Sequence, residues 1–168
     1  MTATVPEKVL SSVYGSRPED WHQHVNGGGW VYKTATVERS VYLHPTSIVY
    51  GDAQVYGNAR VYGNAQVYGN AQVYGNAQVY GDARVYGNAR VYGNAWVYGN
   101  ARVYGIAQVY GNAWVSGDAQ VYRDARVSGD AQVYRDAWVA SPPYIQGSRH
   151  CLTLCSFTQI AIGCHVHD

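Results

Sequence analysis

From Val31 to Val139 every sixth residue is an aliphatic anchor, without insertion or slip, and Ile145 continues the series. Four residues after each anchor sits a small residue: Ala35, Val41, Ser47, and then alanine at every repeat from Ala53 to Ala137. The unit is Val-Tyr-Gly-Asn-Ala-Gln, and 19 copies occupy residues 31–144. Its third position is glycine from Gly51 to Gly129 except at Arg123, and Arg135 replaces glycine in the last such unit. Its fourth position is Asn or Asp from Asp52 to Asp136, with Ile106 as the exception. A period of six excludes a helix, because 3.6 residues per turn would sweep the valines around every face. In a strand, Ala, Gln, Val and Tyr alternate in and out. Gly-Asn then breaks the strand, since glycine is permissive and Asn or Asp tolerates the left-handed region. Each hexapeptide reads as a short strand plus a corner, and corners this frequent make a coil whose strands pair in parallel with the coils above and below.

This pattern resembles the hexapeptide-repeat, left-handed parallel β-helix family. The resemblance implies an all-β fold with three hexapeptides per triangular coil of 18 residues, and the left-handed winding is likewise implied by it alone. Residues 31–145 then make about six coils, a prism on the order of 30 Å long at ~4.8 Å per coil. Leu43-His44-Pro45-Thr46-Ser47 resembles the opening coil of many members. Asn26-Gly27-Gly28-Gly29-Trp30-Val31 is similar to the lead-in of phage and prophage-type bacterial hexapeptide proteins, and Gly147-Ser148-Arg149 and Ile162-Gly163-Cys164 to their closing segments. Three parts follow: an N-terminal cap over 1–29 with Gly27-Gly28-Gly29 as a flexible lead-in, a solenoid over 30–145, and a C-terminal cap over 146–168. The alternation of Leu152 with Leu154 and of Ile160 with Ile162 predicts a β-hairpin in that last cap.

Composition narrows the function classes. A formal net charge of +1 excludes nucleic-acid binding by bulk charge. No apolar run approaches the ~20 residues of a bilayer span, and the start, MTATVPEKVLSSVYG, lacks the pattern of a signal peptide. All three cysteines follow residue 150 and make no disulfide framework, which fits a reducing cytoplasm, bacterial or phage-infected.

An interior of valine and alanine offers no polar group for chemistry, so function lies outside. Taken at a spacing of 18, the outward positions form ladders: Tyr32, Tyr50, Tyr68, Tyr86, Tyr104 and Tyr122 on one face, Tyr56 to Tyr110 on a second, and Tyr62, Tyr80 and Tyr98 on a third. Such rings, and the Gln ladders beside them, stack and stiffen a thin fold. Trp96 and Trp114 share a column and are expected to stack. Aromatic groups with Arg are also interface anchors, which makes Tyr62, Tyr80, Trp96, Tyr98 and Trp114, with Tyr86, Tyr104, Arg84 and Arg102, the candidate binding surface. Ile106 is expected to strain its corner, at roughly 1–2 kcal/mol for the left-handed region. Arg123–Asp124 and Arg135–Asp136 are expected to be surface ion pairs.

The best-known members of the family this chain resembles are acyltransferases, trimers that take acetyl-coenzyme A or acyl carrier protein. The resemblance makes His44, the one histidine in the coils, the candidate base. However, no loop interrupts 31–145 to shape a pocket, and no orienting partner is evident. The carbonic anhydrase type of this fold needs three histidines. His150, Cys151, Cys155, Cys164, His165 and His167 are soft or borderline ligands close in sequence and the candidates for a structural zinc; their spacing is not that of a CxxC pair, and buried free cysteines in a cap are the favoured reading. The expectation is a non-catalytic rigid β-solenoid without a cofactor, presenting its ladders to copies of itself (a trimer, if the resemblance extends so far) or to another protein. The alternative is an acetyl-coenzyme A-dependent acyltransferase.

Overall fold

The computed structural model describes residues 4–140 and the backbone of 144–147. Within them the hexapeptides wind into a three-faced parallel β-solenoid. Each unit gives two residues to a strand, an outward sixth-position residue and the inward anchor, as in Gln78–Val79. Each strand pairs with the strand 18 residues on, Gln78 with Trp96 and Val79 with Val97, so three units close one coil. The first face runs from Trp30–Tyr32 through Ile48–Val49, Gln66–Val67, Arg84–Val85, Arg102–Val103 and Gln120–Val121 to Trp138–Val139, six coils apart. The second runs from Thr36–Val37 to Tyr144–Gly147, and the third from Tyr42–Leu43 to Gln132–Val133.

The interior follows from the repeat. Anchors and small residues from Val49 to Val139 are 0–1% exposed. Each buried valine is worth roughly 1.5–3 kcal/mol over an exposed one, and the alanine opposite leaves room for three walls to meet. Ser47 is the polar exception in this core: its hydroxyl lies 3.1 Å from the carbonyl oxygens of both Val61 and Gly63.

The corners correct one expectation. Only the third position is left-handed, with φ of +67° at Gly51 and +71° at Gly93. The fourth position is not, so Ile106 carries no such strain; Arg123 at φ +57° and Arg135 at +62° do. Glycine is also needed for contact, because a Cβ on Gly93 would sit 3.0 Å from the Gly111 nitrogen one coil on.

The N-terminal segment forms helix α1 (Glu7–Leu10) and strand β1 (Trp21–Gln23), which pairs antiparallel with β2 (Trp30–Tyr32). Val9, Trp21, Trp30 and Ile48 pack into a second apolar cluster outside the solenoid. The first face is thus covered at its start, over Trp30 and Ile48. Gly27-Gly28-Gly29 is no flexible lead-in. Gly27 has φ +107°, and a Cβ there would overlap the Leu43 carbonyl oxygen; a Cβ on Gly29 would overlap the Leu43 side chain. Hydrogen bonds from Gly29 N to Leu43 O and from Leu43 N to Asn26 O, both 2.9 Å, clamp this turn across the first coil.

At the other end, Tyr144–Gly147 adds a parallel strand to Arg126–Gly129. The expected hairpin, with Leu152, Leu154, Ile160 and Ile162, lies outside the described residues.

Candidate functional site

Because outward residues recur every 18 positions, each face lines up its side chains along the rod. On the first face Tyr50, Tyr68, Tyr86, Tyr104 and Tyr122 stack at 4.7–5.2 Å with planes within 11°. On the second, Tyr56, Tyr74, Tyr92 and Tyr110 stack at 4.8–4.9 Å. Stacking hides the phenols, and that burial raises the pKa of Tyr68, Tyr86 and Tyr104, with Tyr50 pushed up to about 12.

The third face is different. Trp96 and Trp114 stack as expected, at 5.1 Å and 3°, and Tyr80 stacks on Tyr98 at 4.9 Å. Between these two stacks the rings meet edge-on, Tyr80 with Trp96 at 76° and Tyr98 with Trp114 at 77°. Tyr62 breaks the column expected of it, meeting Tyr80 at 78° and 6.3 Å. Arg60 donates from Nη1 to the Tyr62 hydroxyl at 3.3 Å, which holds that ring out of the stack. Tyr62, Tyr80, Trp96, Tyr98 and Trp114 therefore touch ring to ring as one patch, and Trp114 is 38% exposed.

The other candidates, Tyr86, Tyr104, Arg84 and Arg102, lie together on the first face, on a separate surface. Arg84 and Arg102 pair in register, and their charge opposes the effect of burial on the Tyr68 and Tyr86 phenols. Trp138, 51% exposed, ends this face in the column of Gln120, a place that the 18-residue spacing also gives it.

Polar ladders run mainly along the corners. Asn58 donates to Asn76, Asn76 to Asn94, Asn94 to Asn112 and Asn112 to Asp130, at 3.0–3.4 Å. Asn64 donates to Asp82 and Asn100 to Asp118 likewise. Among glutamines, Gln72 donates to Gln54 at 3.3 Å. The spacing of 18 holds the signal for these corner ladders, which the backbone preference of Asn and Asp does not reveal by itself. The expected ion pairs Arg123–Asp124 and Arg135–Asp136 do not form; the guanidiniums lie over Tyr122 and Tyr134, 5.8 and 5.9 Å from the ring centres.

His44 is half-buried, with Nδ1 2.9 Å from the Thr46 hydroxyl. Among the described residues no second titratable group reaches it, so the geometry is that of a local turn contact. Cys151, Cys155, Cys164, His165 and His167, with His150, lie outside the described residues. Among those described, no three His, Cys, Asp or Glu side chains gather as a metal would need, and no helix is long and apolar enough to cross a membrane.

Comparison with known proteins adds one match. Residues 53–69, 65–81, 71–85, 77–93, 83–98, 107–123 and 119–135 each match the YdcK beta solenoid repeat. Every stretch begins at an inward alanine, the same phase as the coils. No curated protein and no solved structure matches. The chain is a β-helix repeat protein, and its coils are similar to the YdcK solenoid repeat.

Proposed function

We propose that this chain is a non-catalytic, rigid scaffold whose third face docks against a second copy of the chain or another protein. The observation that carries this reading is the Trp96–Trp114 stack, locked edge-on against Tyr80 and Tyr98 and open at Trp114. Pre-ordered rings lose little conformational freedom on contact, and large aromatic side chains supply most interface energy. Position of the cysteines, all after residue 150, supports a reducing cytoplasm as its compartment. The lead-in Asn26–Val31 supports kinship with phage-type hexapeptide proteins.

Sedimentation equilibrium across a range of concentrations tests self-association. The expected result is an oligomer whose dissociation constant rises at least about tenfold in Trp96→Ala/Trp114→Ala. A monomer at every concentration, unaltered by the double change, removes the second copy as partner. Acetyl-coenzyme A at millimolar concentration is expected to leave the melting midpoint where it is; an upward shift would favour the acyltransferase alternative, since a ligand at 100 times its dissociation constant adds about 2.7 kcal/mol.

A further inference from the structure

Where the second and third faces meet near the N-terminal end, the flat repeat opens into a groove of about 660 Å³. It is lined by Asn26, Ser40, Tyr42, Asn58, Arg60, Tyr62 and Asn76. Ser40 and Tyr42 stand one coil before Asn58 and Arg60, in the columns those residues continue. The groove therefore exists because the first coil departs from the repeat. Tyr42 and Tyr62 form an inclined wall, ring centres 5.5 Å apart and planes at 45°.

The corner ladder ends in this groove. Asp130, as a carboxylate, only accepts hydrogen bonds, so Asn112 must donate to it. That choice orients Asn94, Asn76 and Asn58 in turn. Each amide oxygen along the column receives a bond from the amide before it, except that of Asn58, because Ser40 stands in the amide's place. Asn58 Oδ1 is thus an acceptor without a donor among the described residues, at the end of a chain of mutually polarised bonds. Beside it, Arg60 spends one N–H on the Tyr62 hydroxyl, and its remaining donors have no partner among the described residues.

The lining holds no carboxylate and no aliphatic side chain. An anion would meet Arg60 but be repelled by the Asn58 oxygen. A hydroxyl group satisfies both, since it accepts from the guanidinium and donates to the amide. A sugar ring adds an apolar C–H face that fits tyrosine rings, and the volume lies within the ordinary range of small-molecule sites. We propose that this groove binds a neutral saccharide, its C–H face on Tyr42 and Tyr62 and one hydroxyl bridging Arg60 and Asn58. This site shares Tyr62 with the docking patch but neither Trp96 nor Trp114.

Saturation-transfer NMR on the full chain, with maltotriose, cellotriose and chitotriose as probes, tests the site. At least one probe is expected to bind with a dissociation constant on the order of 1 mM. Arg60→Gln and Asn58→Leu are each expected to weaken it at least about tenfold while the melting midpoint holds, both positions being exposed. Trp96→Ala/Trp114→Ala is expected to bind as the parent does. Absence of transfer to all three probes at about 20 mM would overturn the proposal, as would unchanged binding in either groove variant or its loss in the tryptophan variant. Citrate displacing the saccharide with higher affinity would make this an anion site instead and equally overturn it.

Discussion

At the residue scale, the third and fourth positions of the hexapeptide divide two tasks that local propensity lumps together. The third takes the left-handed turn and brings successive corners into backbone contact; the fourth supplies a side chain to a ladder. Arginine at 123 and 135 is left-handed, and 18 residues beyond these positions stand Ser141 and Thr153, where the Gly-Asn corner sequence has ended. Arg123→Gly should therefore stabilise the fold by about 1 kcal/mol, since it relieves a left-handed non-glycine residue. Ile106→Gly should destabilise it by a similar amount, because an ordinary φ gains nothing from glycine's freedom and pays its entropy. Thermal melts of the two variants check this. A gain for Ile106→Gly, or a loss for Arg123→Gly, would reverse the assignment of the corner.

At the element scale, the ladders and the N-terminal turn hold the rod together in different ways. Each coil contributes the same strand pairs, so stability along the rod is a sum of nearly equal neighbour terms. The turn over residues 24–29 is unique. His24 is 7% exposed and its Nε2 lies 3.0 Å from the Val41 carbonyl oxygen. Burial lowers its pKa below the ordinary 6.5, outweighing the hydrogen bond to Val41. The unfolded chain then takes up the proton more readily than the folded one. The contribution of His24 is complete above pH ~6.5 and is lost as pH falls below it. Melting midpoints between pH 7.5 and 5 are expected to drop less for His24→Gln, which keeps an N–H for the Val41 carbonyl but does not titrate. Equal slopes in the two proteins would mean that this histidine does not couple the cap to pH.

At the scale of the whole molecule, stacking on two faces ties the ionisation of Tyr50, Tyr68, Tyr74, Tyr86, Tyr92 and Tyr104 to the fold. Burial raises several phenols, Tyr50 up to about 12. A raised phenol stabilises the fold fully below its ordinary value near 10, and that stability is lost as pH rises toward 12. The rod is expected to unfold between those limits with tyrosinate absorbance rising in the same step; absorbance that rises well before the circular dichroism changes would show that the ladders are open to hydroxide. Much of this molecule was legible in its sequence. A strict six-residue period with inward Val and Ala leaves a parallel coil as the arrangement that buries every anchor, and the 18-residue column alone places Trp96 on Trp114. The site was less legible. The groove beside Arg60 arises where Ser40 and Tyr42 depart from the repeat, and the packed turn at Gly27–Gly29 depends on Leu43, 14 residues away from Gly29. By itself the sequence determined the coil, because a repeated pattern of burial has one periodic solution. Ring orientation, the direction of the amide ladder and the closure of the first coil were decided by tertiary structure, because each depends on contacts between residues that no local pattern relates.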